Sequence, residues 1–324
     1  MRYRLNRRDF LGASLAAGAG ALAVGRLQAE AFKTTLHKAL IDKPSEETLK
    51  SWKAAGFEGI ESDLWQIAPK AAAAARKVAE DLGMKIHSVL YGWANFNRED
   101  VVAKDIADVE AALRACRGYG ADALLLVPCR IGSTKDSPMP MPEPWEFEIE
   151  FDEKTGHVKR VAAGDNSRYA AYIEAHNQAV DASRKAVEKL IPVAEKTKVI
   201  IALENVWNNL WVKPAIFQNF IASFDSPWVQ CYFDIGNHVR YAPPEEWIRT
   251  LGKLIVKCHV KDFKLNPDGH GGRFVDIRDG SVNWPVVRQE LDKLGYNGWM
   301  TIEGSERLSL AERNKRLELI IAGE

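Results

Sequence analysis

Four residues that can bind a divalent cation stand at the ends of four apolar segments in the second half of the chain. Three are carboxylates and one is an imidazole, and the segments are VIIALEN with Glu204, VQCYFDIGN with Asp234, IVKCHVKD with His259 and WMTIEGS with Glu303. A ligand set rich in oxygen suits Mn²⁺, Mg²⁺ or a comparable divalent ion. Without a cation, three converging carboxylates would repel one another and be costly to bury. The pattern therefore predicts one divalent ion bound by all four residues.

The spacing of these segments indicates how a fold could bring them together. They are separated by 30, 25 and 44 residues, and each gap can hold a helix with its connections, so successive strands can be parallel neighbours. Strand-like and helix-like periods alternate from residue 32 onward, with strands predicted at 33–41, 56–62, 85–92 and 121–131 and then in the four ligand-bearing segments. Eight such units predict an α/β protein, a single (β/α)₈ TIM barrel over residues 32–324. A doubly wound open sheet is the alternative, but no Gly-rich phosphate-binding turn follows the first predicted strand of this chain.

Strand alternation predicts which side chains face the barrel lumen. Residues two positions from a ligand share its face, so Ala202, Tyr232 and Lys261 should point inward. By the same rule Cys231 and Cys258 should face the helices. The four cysteines form no C-x-x-C pair, and we predict buried free thiols that behave as small apolar side chains.

One segment interrupts the alternation of strands and helices. Residues 132–167, between the fourth strand and its helix, include WEFEIEFD, a turn-like EKTG and HVKRV. Both flanking stretches alternate apolar and polar residues, which predicts a two-stranded hairpin. A long structured loop at this end of a barrel could cover the site or form a subunit contact, and a plain exposed hairpin is the alternative.

The composition bounds the classes of partner. The chain has 324 residues, 46% of them apolar, with 44 Lys+Arg balanced by 44 Asp+Glu. This neutral total gives no electrostatic reason to expect nucleic acid or a membrane surface. An endonuclease acting on abasic DNA uses a related barrel but needs further His and acidic ligands and a basic groove. The chain has seven His and no evident basic run after the N-terminal segment, so we expect no nucleic-acid partner.

The N-terminal segment has the pattern of an export signal. Arg7 and Arg8 lie in NRRDFLG, the moderately apolar SLAAGAGALAVG follows, and Ala29 and Ala31 offer an A-x-A-type cleavage site. We predict that residues 1–31 form a twin-arginine-type signal, which places the mature protein in the periplasm or outside the cell. The apolar stretch is too short for a membrane span, so we expect no stable span after its removal. An amphipathic helix or a disordered tail is the alternative.

The four ligand-bearing motifs resemble those of the sugar phosphate isomerase/epimerase family of xylose isomerase-like TIM barrels, and GFEGIES resembles that family's second strand. The resemblance covers about residues 33–322. It implies one metal ion, with Mn²⁺ expected first and Co²⁺, Mg²⁺ or Zn²⁺ as alternatives. It also implies that Glu204 and Glu303 serve as the catalytic acid/base pair as well as ligands. Many ketose epimerases of this family carry a histidine three positions after the aspartate, where this chain has Asn237 followed by His238.

The expected reaction follows from the ligands. A metal that chelates a carbonyl and the adjacent hydroxyl acidifies the neighbouring C–H, and two glutamates can remove and return a proton through an enediolate. We predict an isomerase or epimerase acting on a non-phosphorylated sugar or keto-sugar. The predicted export argues against phosphorylated substrates, because sugar phosphates are mainly cytoplasmic. A lyase or dehydratase acting on an oxidised sugar or glycoside is the alternative, and a non-catalytic periplasmic sugar-binding protein is a further one. The sequence is compatible with a homo-oligomer and does not specify one.

Four residues are expected to contact the carbohydrate, and they are Lys261, Asn237, His238 and His87. Lys261 shares the inward face with His259, but a salt bridge across the lumen is an equal alternative. For His87 the structural role of a buried, hydrogen-bonded histidine is favoured over substrate contact.

Overall fold

The computed structural model describes residues 32–135 and 137–324. The export signal predicted at residues 1–31 lies outside the described residues. Within those ranges, no helix is long and apolar enough to cross a bilayer.

Eight parallel strands of the described residues close into a barrel. The predicted (β/α)₈ barrel is thereby confirmed. The strands of the described residues are, in chain order, β1 (Leu36–Asp42), β2 (Gly59–Ser62), β3 (Lys85–Trp93), β4 (Ala123–Val127), β5 (Phe147–Phe151), β6 (Val158–Ala162), β7 (Ile200–Glu204), β8 (Val229–Asp234), β9 (Ile255–Val260), β10 (Asp262–Leu265), β11 (Gly272–Val275) and β12 (Gly298–Ile302). Neighbouring strands around the barrel follow the order β1-β12-β9-β8-β7-β4-β3-β2. The helices are α1 (Glu46–Ala54), α2 (Pro69–Asp81), α3 (Val102–Tyr119), α4 (Ala170–Thr197), α5 (Pro214–Ala222), α6 (Pro244–Leu251), α7 (Trp284–Leu294) and α8 (Leu310–Ala322).

Several helices begin where the sequence supplies a start signal. The side chains of Ser45, Asn283 and Ser309 accept hydrogen bonds from the first turns of α1, α7 and α8. Proline occupies a first-turn position of α2, α5, α6 and α7, where its missing N–H costs nothing. These local signals fix where each strand ends and its helix begins, and so where the strand-end side chains stand.

The strand register brings the predicted ligands to one level. Glu204 pairs with Tyr232 across β7 and β8, and Asp234 pairs with His259 across β8 and β9. His259 also pairs with Thr301, two residues before Glu303 on the far side of β9. The ligands therefore lie at the C-terminal ends of neighbouring strands, the end that carries active sites in this architecture.

The lumen and the outer core separate as alternation predicts. Ala202 and Tyr232 pack in a small lumen cluster with Leu125. Cys231 and Cys258 lie instead in the large cluster between barrel and helices. All four cysteines are buried free thiols, as expected.

Two antiparallel hairpins are added to the barrel. β5 pairs with β6 inside the segment 132–167, at the position predicted from its alternation. The second hairpin, β10 with β11, directly follows the strand that carries His259 and was not predicted. Each of its two strands is only four residues long, and the residues of β11 are largely exposed. The sequence therefore shows no apolar alternation that would mark these strands.

The second hairpin is anchored by one buried carboxylate, that of Asp262. Its two oxygens accept hydrogen bonds from the backbone N–H of Phe263, Arg278, Gly280 and Val282, and from the indole N–H of Trp284, at 2.9–3.3 Å. The last residue of HVKD thus organises the connection that leads from the hairpin to α7.

Candidate metal centre

Four side chains converge at the C-terminal end of the barrel. One ligand atom from each of Glu204, Asp234, His259 and Glu303 lies within 4.8 Å of all the others. Nδ1 of His259 lies 3.1 Å from Oε2 of Glu303 and 3.4 Å from Oε1 of Glu204. Asp234 and His259 are fully buried, whereas the Glu303 side chain is 32% exposed. The structure brings together all four predicted ligands, and Glu303 forms their solvent-facing side.

The acids in this cluster have displaced pKa values. Burial raises the pKa of Glu204 and raises that of Asp234 well above the usual range, and the neighbouring carboxylates add to both effects. Burial alone would also raise the pKa of Glu303, but its contacts with His259 and Lys261 outweigh burial and lower it. The two glutamates are therefore shifted in opposite directions.

The imidazole shows how strongly negative its surroundings are. Burial disfavours the charged form of His259, but the nearby carboxylates, Glu61 above all and then Glu204 and Glu303, outweigh burial and raise its pKa well above the ordinary value. The carboxylates around the ring therefore stabilise its positively charged form.

The donor set fits a divalent ion. Oδ2 of Asp234 is buried and accepts no hydrogen bond from the described residues, an arrangement that is costly unless a cation satisfies it. Ligand atoms within 4.8 Å of one another are compatible with a central ion about 2.0–2.6 Å from each. Three carboxylates and one imidazole are ligands of Mg²⁺, Mn²⁺ and Zn²⁺ sites, so the donors do not select one metal.

The Asp234 carboxylate is held by the turn that follows β8. Its Oδ1 accepts hydrogen bonds from the backbone N–H of Gly236 at 2.8 Å and of Asn237 at 2.6 Å, which leaves Oδ2 for the cluster. Gly236 is required here, since a Cβ would stand 2.6 Å from the carbonyl oxygen of Lys261. The Asn205 side chain joins β7 to β8 by accepting from Asp234 N and donating to Asp234 O. The asparagine and glycine of ALEN and FDIGN thus position the aspartate.

Two predicted substrate residues border the cluster. Lys261 Nζ lies 2.8 Å from Oε1 of Glu303 and 3.8 Å from Oδ2 of Asp234, and these carboxylates raise its pKa despite burial. The Asn237 amide lies 3.4 Å from Glu204 Oε1 and 3.3 Å from Lys261 Nζ. Lys261 is therefore a fixed positive charge beside Glu303, the lumen salt bridge that was one of its two expected roles.

The other two predicted substrate residues have partners within the protein. His87 lies inside the barrel between the hydroxyls of Ser88 and Thr301, at 2.9 and 3.0 Å, and stacks on Trp299. His238 stacks on Trp247, Nδ1 lies 3.0 Å from Asn205 Nδ2, and burial lowers its pKa to about 3. Both placements favour structural roles over substrate contact.

The sequence reading assigned no role to Glu61, the acid of GFEGIES. It is fully buried on β2, and its Oε2 lies 2.6 Å from Nε2 of His259. The hydroxyl of Tyr232 donates to the same oxygen at 3.0 Å. The available signal was a glutamate within a short strand flanked by apolar residues, where a charged side chain needs a partner.

A small cavity of about 200 Å³ opens beside the cluster. Glu303 and Lys261 line one side, and Phe274 of the β10–β11 hairpin lines another. The Phe274 ring is 41% exposed, and its centroid is 4.9 Å from that of Trp207. Larger cavities between α3 and α4 and at the N-terminal end of the barrel include none of the four ligands. An apolar wall therefore stands directly beside the polar cluster.

Comparison with known proteins identifies the class to which this barrel and cluster belong. The family described as xylose isomerase-like TIM barrel matches residues 49–319. The chain belongs to this family. One curated relative, an uncharacterised protein of Methanocaldococcus jannaschii, is 26% identical over 133 residues, which cover 39% of this chain and 44% of that protein. The match thus spans less than half the length of the relative.

Solved structures of similar fold include several enzymes. The 3-keto-D-glucoside 4-epimerase of E. coli has a TM-score of 0.63 and 13% identity, covering 88% of this chain and 99% of that one. The probable 3-DHS dehydratase AsbF of Bacillus anthracis has a TM-score of 0.62 and 13% identity, covering 87% and 99%. The IolI protein, solved with a zinc atom, has a TM-score of 0.62 and 14% identity, covering 89% and 98%. At these identities the likeness shows a shared fold.

Proposed function

We propose that this protein is a divalent-metal-dependent isomerase or epimerase that moves a proton next to the carbonyl of a non-phosphorylated sugar or keto-sugar. The observation that carries the proposal is the pair Glu204 and Glu303. Both carboxylates lie within 3.4 Å of the same imidazole nitrogen of His259, and their pKa values are shifted in opposite directions. Titratable groups with opposed shifts at one site are the pattern of an acid/base pair.

The two glutamates have separate roles in this proposal. Glu303, whose pKa the contacts with His259 and Lys261 lower, removes the proton from the substrate carbon, and Glu204, whose pKa burial raises, returns one. A bound divalent ion would polarise the substrate carbonyl and stabilise the charge of the enediolate. Each positioned acid or base contributes a rate factor of about 10²–10⁴.

The cavity beside the cluster supports an uncharged polyhydroxylated substrate. Its lining carries three carboxylates, of Glu303, Asp276 and Glu306, against two cations, Lys261 and Arg307. This excess of negative charge disfavours a phosphate group. Phe274 offers an aromatic face, on which the C–H face of a sugar ring can pack.

A lyase or dehydratase that uses the same metal site is the second candidate. Asn237, three positions after Asp234, favours the lyase or dehydratase. Many ketose epimerases have a histidine at this position, and an asparagine cannot take up or release a proton as that histidine can. Its amide is instead bonded to Glu204 and to the carbonyl of Asn205. The dehydratase fold neighbour supports the same reading. In that reaction the enediolate would expel a β-substituent rather than accept a proton at the second carbon.

The test is a screen that separates these reactions. Protein loaded with Mn²⁺ and protein stripped with a chelator are incubated in D₂O with keto-sugars, free sugars and oxidised glycosides, and proton NMR follows the substrate. We expect metal-dependent deuterium uptake at one carbon with the carbon skeleton intact. Loss of a leaving group would identify the lyase. Saturable binding of a sugar without any exchange would identify a sugar-binding protein and contradict the proposal.

The twin-arginine pattern at residues 1–31 supports a periplasmic or secreted location, which we propose for the mature protein. Residues 1–31 fused to a reporter should direct it to the periplasm, and replacing Arg7 and Arg8 together by Lys should block export. Fractionation of cells carrying the two fusions measures this. Equal export of both fusions would contradict the assignment.

A further inference from the structure

Glu61 is a buried carboxylate that stands outside the four-residue cluster but touches one of its members. It lies on β2, pairs with Ile41 of β1 and Ser88 of β3, and has no solvent exposure. Its Oε2 lies 2.6 Å from Nε2 of His259, which is also buried. Burial of a carboxylate at such a position is costly, so a specific role must offset it.

The geometry around His259 assigns different tasks to its two ring nitrogens. Nδ1 faces the cluster, 3.1 Å from Glu303 and 3.4 Å from Glu204, while Nε2 faces Glu61. An imidazole that binds a metal through one nitrogen must carry its proton on the other. A carboxylate acceptor at Nε2 requires the Nε2–H form and so leaves the lone pair of Nδ1 for the ion.

Further contacts keep the Glu61 carboxylate in place. The Tyr232 hydroxyl donates to Oε2 at 3.0 Å, and the centroid of its ring is 4.4 Å from that of the His259 imidazole. The Ser88 hydroxyl lies 3.4 Å from the Tyr232 hydroxyl. All four side chains are fully buried. The ring of His259 therefore packs against hydrogen-bonded side chains of the protein itself.

We propose that Glu61 is a positioning residue that fixes the tautomer and orientation of His259 and thereby sets the affinity of the centre for its metal. This role rests on the metal site of the proposed function. It differs from a purely structural ion pair because removal of the Glu61 carboxylate should weaken metal binding in a protein that remains folded.

The chain provides a control pair elsewhere in the barrel. His37 of β1 and Glu58, next to β2, form a histidine–glutamate pair whose Nδ1–Oε2 distance is also 2.6 Å, but their side chains are 42% and 43% exposed. Both line the cavity at the opposite end of the barrel from the ligands. Substitution of Glu58 therefore breaks an equivalent glutamate–histidine contact without touching the cluster.

The experiment measures metal affinity without a substrate, by competition between the protein and a chromophoric chelator for Zn²⁺ and for Co²⁺. We expect Glu61→Gln to weaken binding about 10-fold and Glu61→Ala up to about 100-fold, the usual range for a residue that orients a metal ligand. Glu58→Gln should bind as the wild type does. The visible absorption of bound Co²⁺ should shift in Glu61→Gln at saturating metal, because the ligand field of His259 changes.

Tyr232→Phe gives a second route to the same question, since it keeps Glu61 but removes one hydrogen bond to it. This variant should weaken binding less than Glu61→Gln does, and it serves if Glu61→Ala does not fold. Wild-type affinity and an unchanged Co²⁺ spectrum in both Glu61→Gln and Tyr232→Phe would overturn the role of Glu61 while leaving the metal site standing. A wild-type protein that binds neither metal would instead overturn the metal site itself.

Discussion

At the scale of single residues, the cluster concentrates negative charge around one imidazole. Asp234 is oriented by two backbone N–H groups, Glu303 is paired with Lys261, and His259 is held on both sides. The buried Oδ2 of Asp234 remains without a hydrogen bond from the described residues. These features explain why so many acids can share a small volume only if a proton or a metal is also present.

Loss of a ligand should abolish metal binding. The wild type should contain about one divalent ion per chain. His259→Ala and Asp234→Ala should each lose most of this metal, because the remaining donors no longer surround the ion. Excess metal should raise the melting temperature of the wild type by mass action but not that of the variants. His37→Ala, a histidine change away from the cluster, is the control and should keep its metal. Full metal content in both ligand variants, measured by elemental analysis, would rule out this set.

Metal affinity should also rise with pH. Burial raises the pKa of Asp234, and the neighbouring carboxylates raise that of His259, so protons compete with the ion for these ligands up to a higher pH than they would for free side chains. Below the raised pKa values, protons compete with the metal ion for the ligands. Metal affinity should therefore increase from about pH 6 to about pH 9, and the increase should continue above the ordinary histidine pKa near 6.5. Chelator competition at several pH values measures the slope. An affinity independent of pH over this range would show that the ligands are already deprotonated.

At the scale of elements, the strands that carry the ligands could be predicted because each is a short apolar run ending in one polar residue. The lumen placement of Ala202 and Tyr232 followed from alternation in the same way. Glu61 could not be assigned, because its partner His259 is 198 residues away in sequence and only barrel closure brings β2 near β9. The β10–β11 hairpin was missed because one tertiary anchor, Asp262, stabilises it rather than a local pattern.

Removal of that anchor should loosen the hairpin. Asp262→Ala leaves five N–H donors without their acceptor, and we expect the free energy of unfolding to fall by about 2–4 kcal/mol. Denaturant unfolding measures the change. Asp268→Ala at the exposed tip of the same hairpin removes a single bond, to His270 N, and should change stability by less than about 0.5 kcal/mol. Equal effects of the two substitutions would contradict the anchoring role of Asp262.

At the scale of the whole molecule, the barrel brings distant segments to one open end and the two hairpins meet beside it. Trp145, in the segment that leads into β5, stacks at 4.3 Å on His270 of the turn between β10 and β11. Phe147 packs against Tyr172 of α4 and Tyr241 of the connection after β8. The insertion is therefore packed onto the rim near the second hairpin, whose Phe274 lines the small cavity next to Glu303.

The proposed reaction requires that two glutamates at this open end transfer protons as well as bind metal. Gln at position 204 or 303 keeps a carbonyl oxygen for the ion but cannot exchange a proton. The decisive measurement is solvent deuterium uptake by a substrate found in the screen, together with metal content, for Glu204→Gln, Glu303→Gln and the control Glu188→Gln on the exposed face of α4. We expect turnover to fall about 10²-fold or more in the first two variants with metal largely retained, and to be unchanged in the control. Normal turnover in both Glu204→Gln and Glu303→Gln would contradict the proposed acid/base pair, even if the metal site were confirmed.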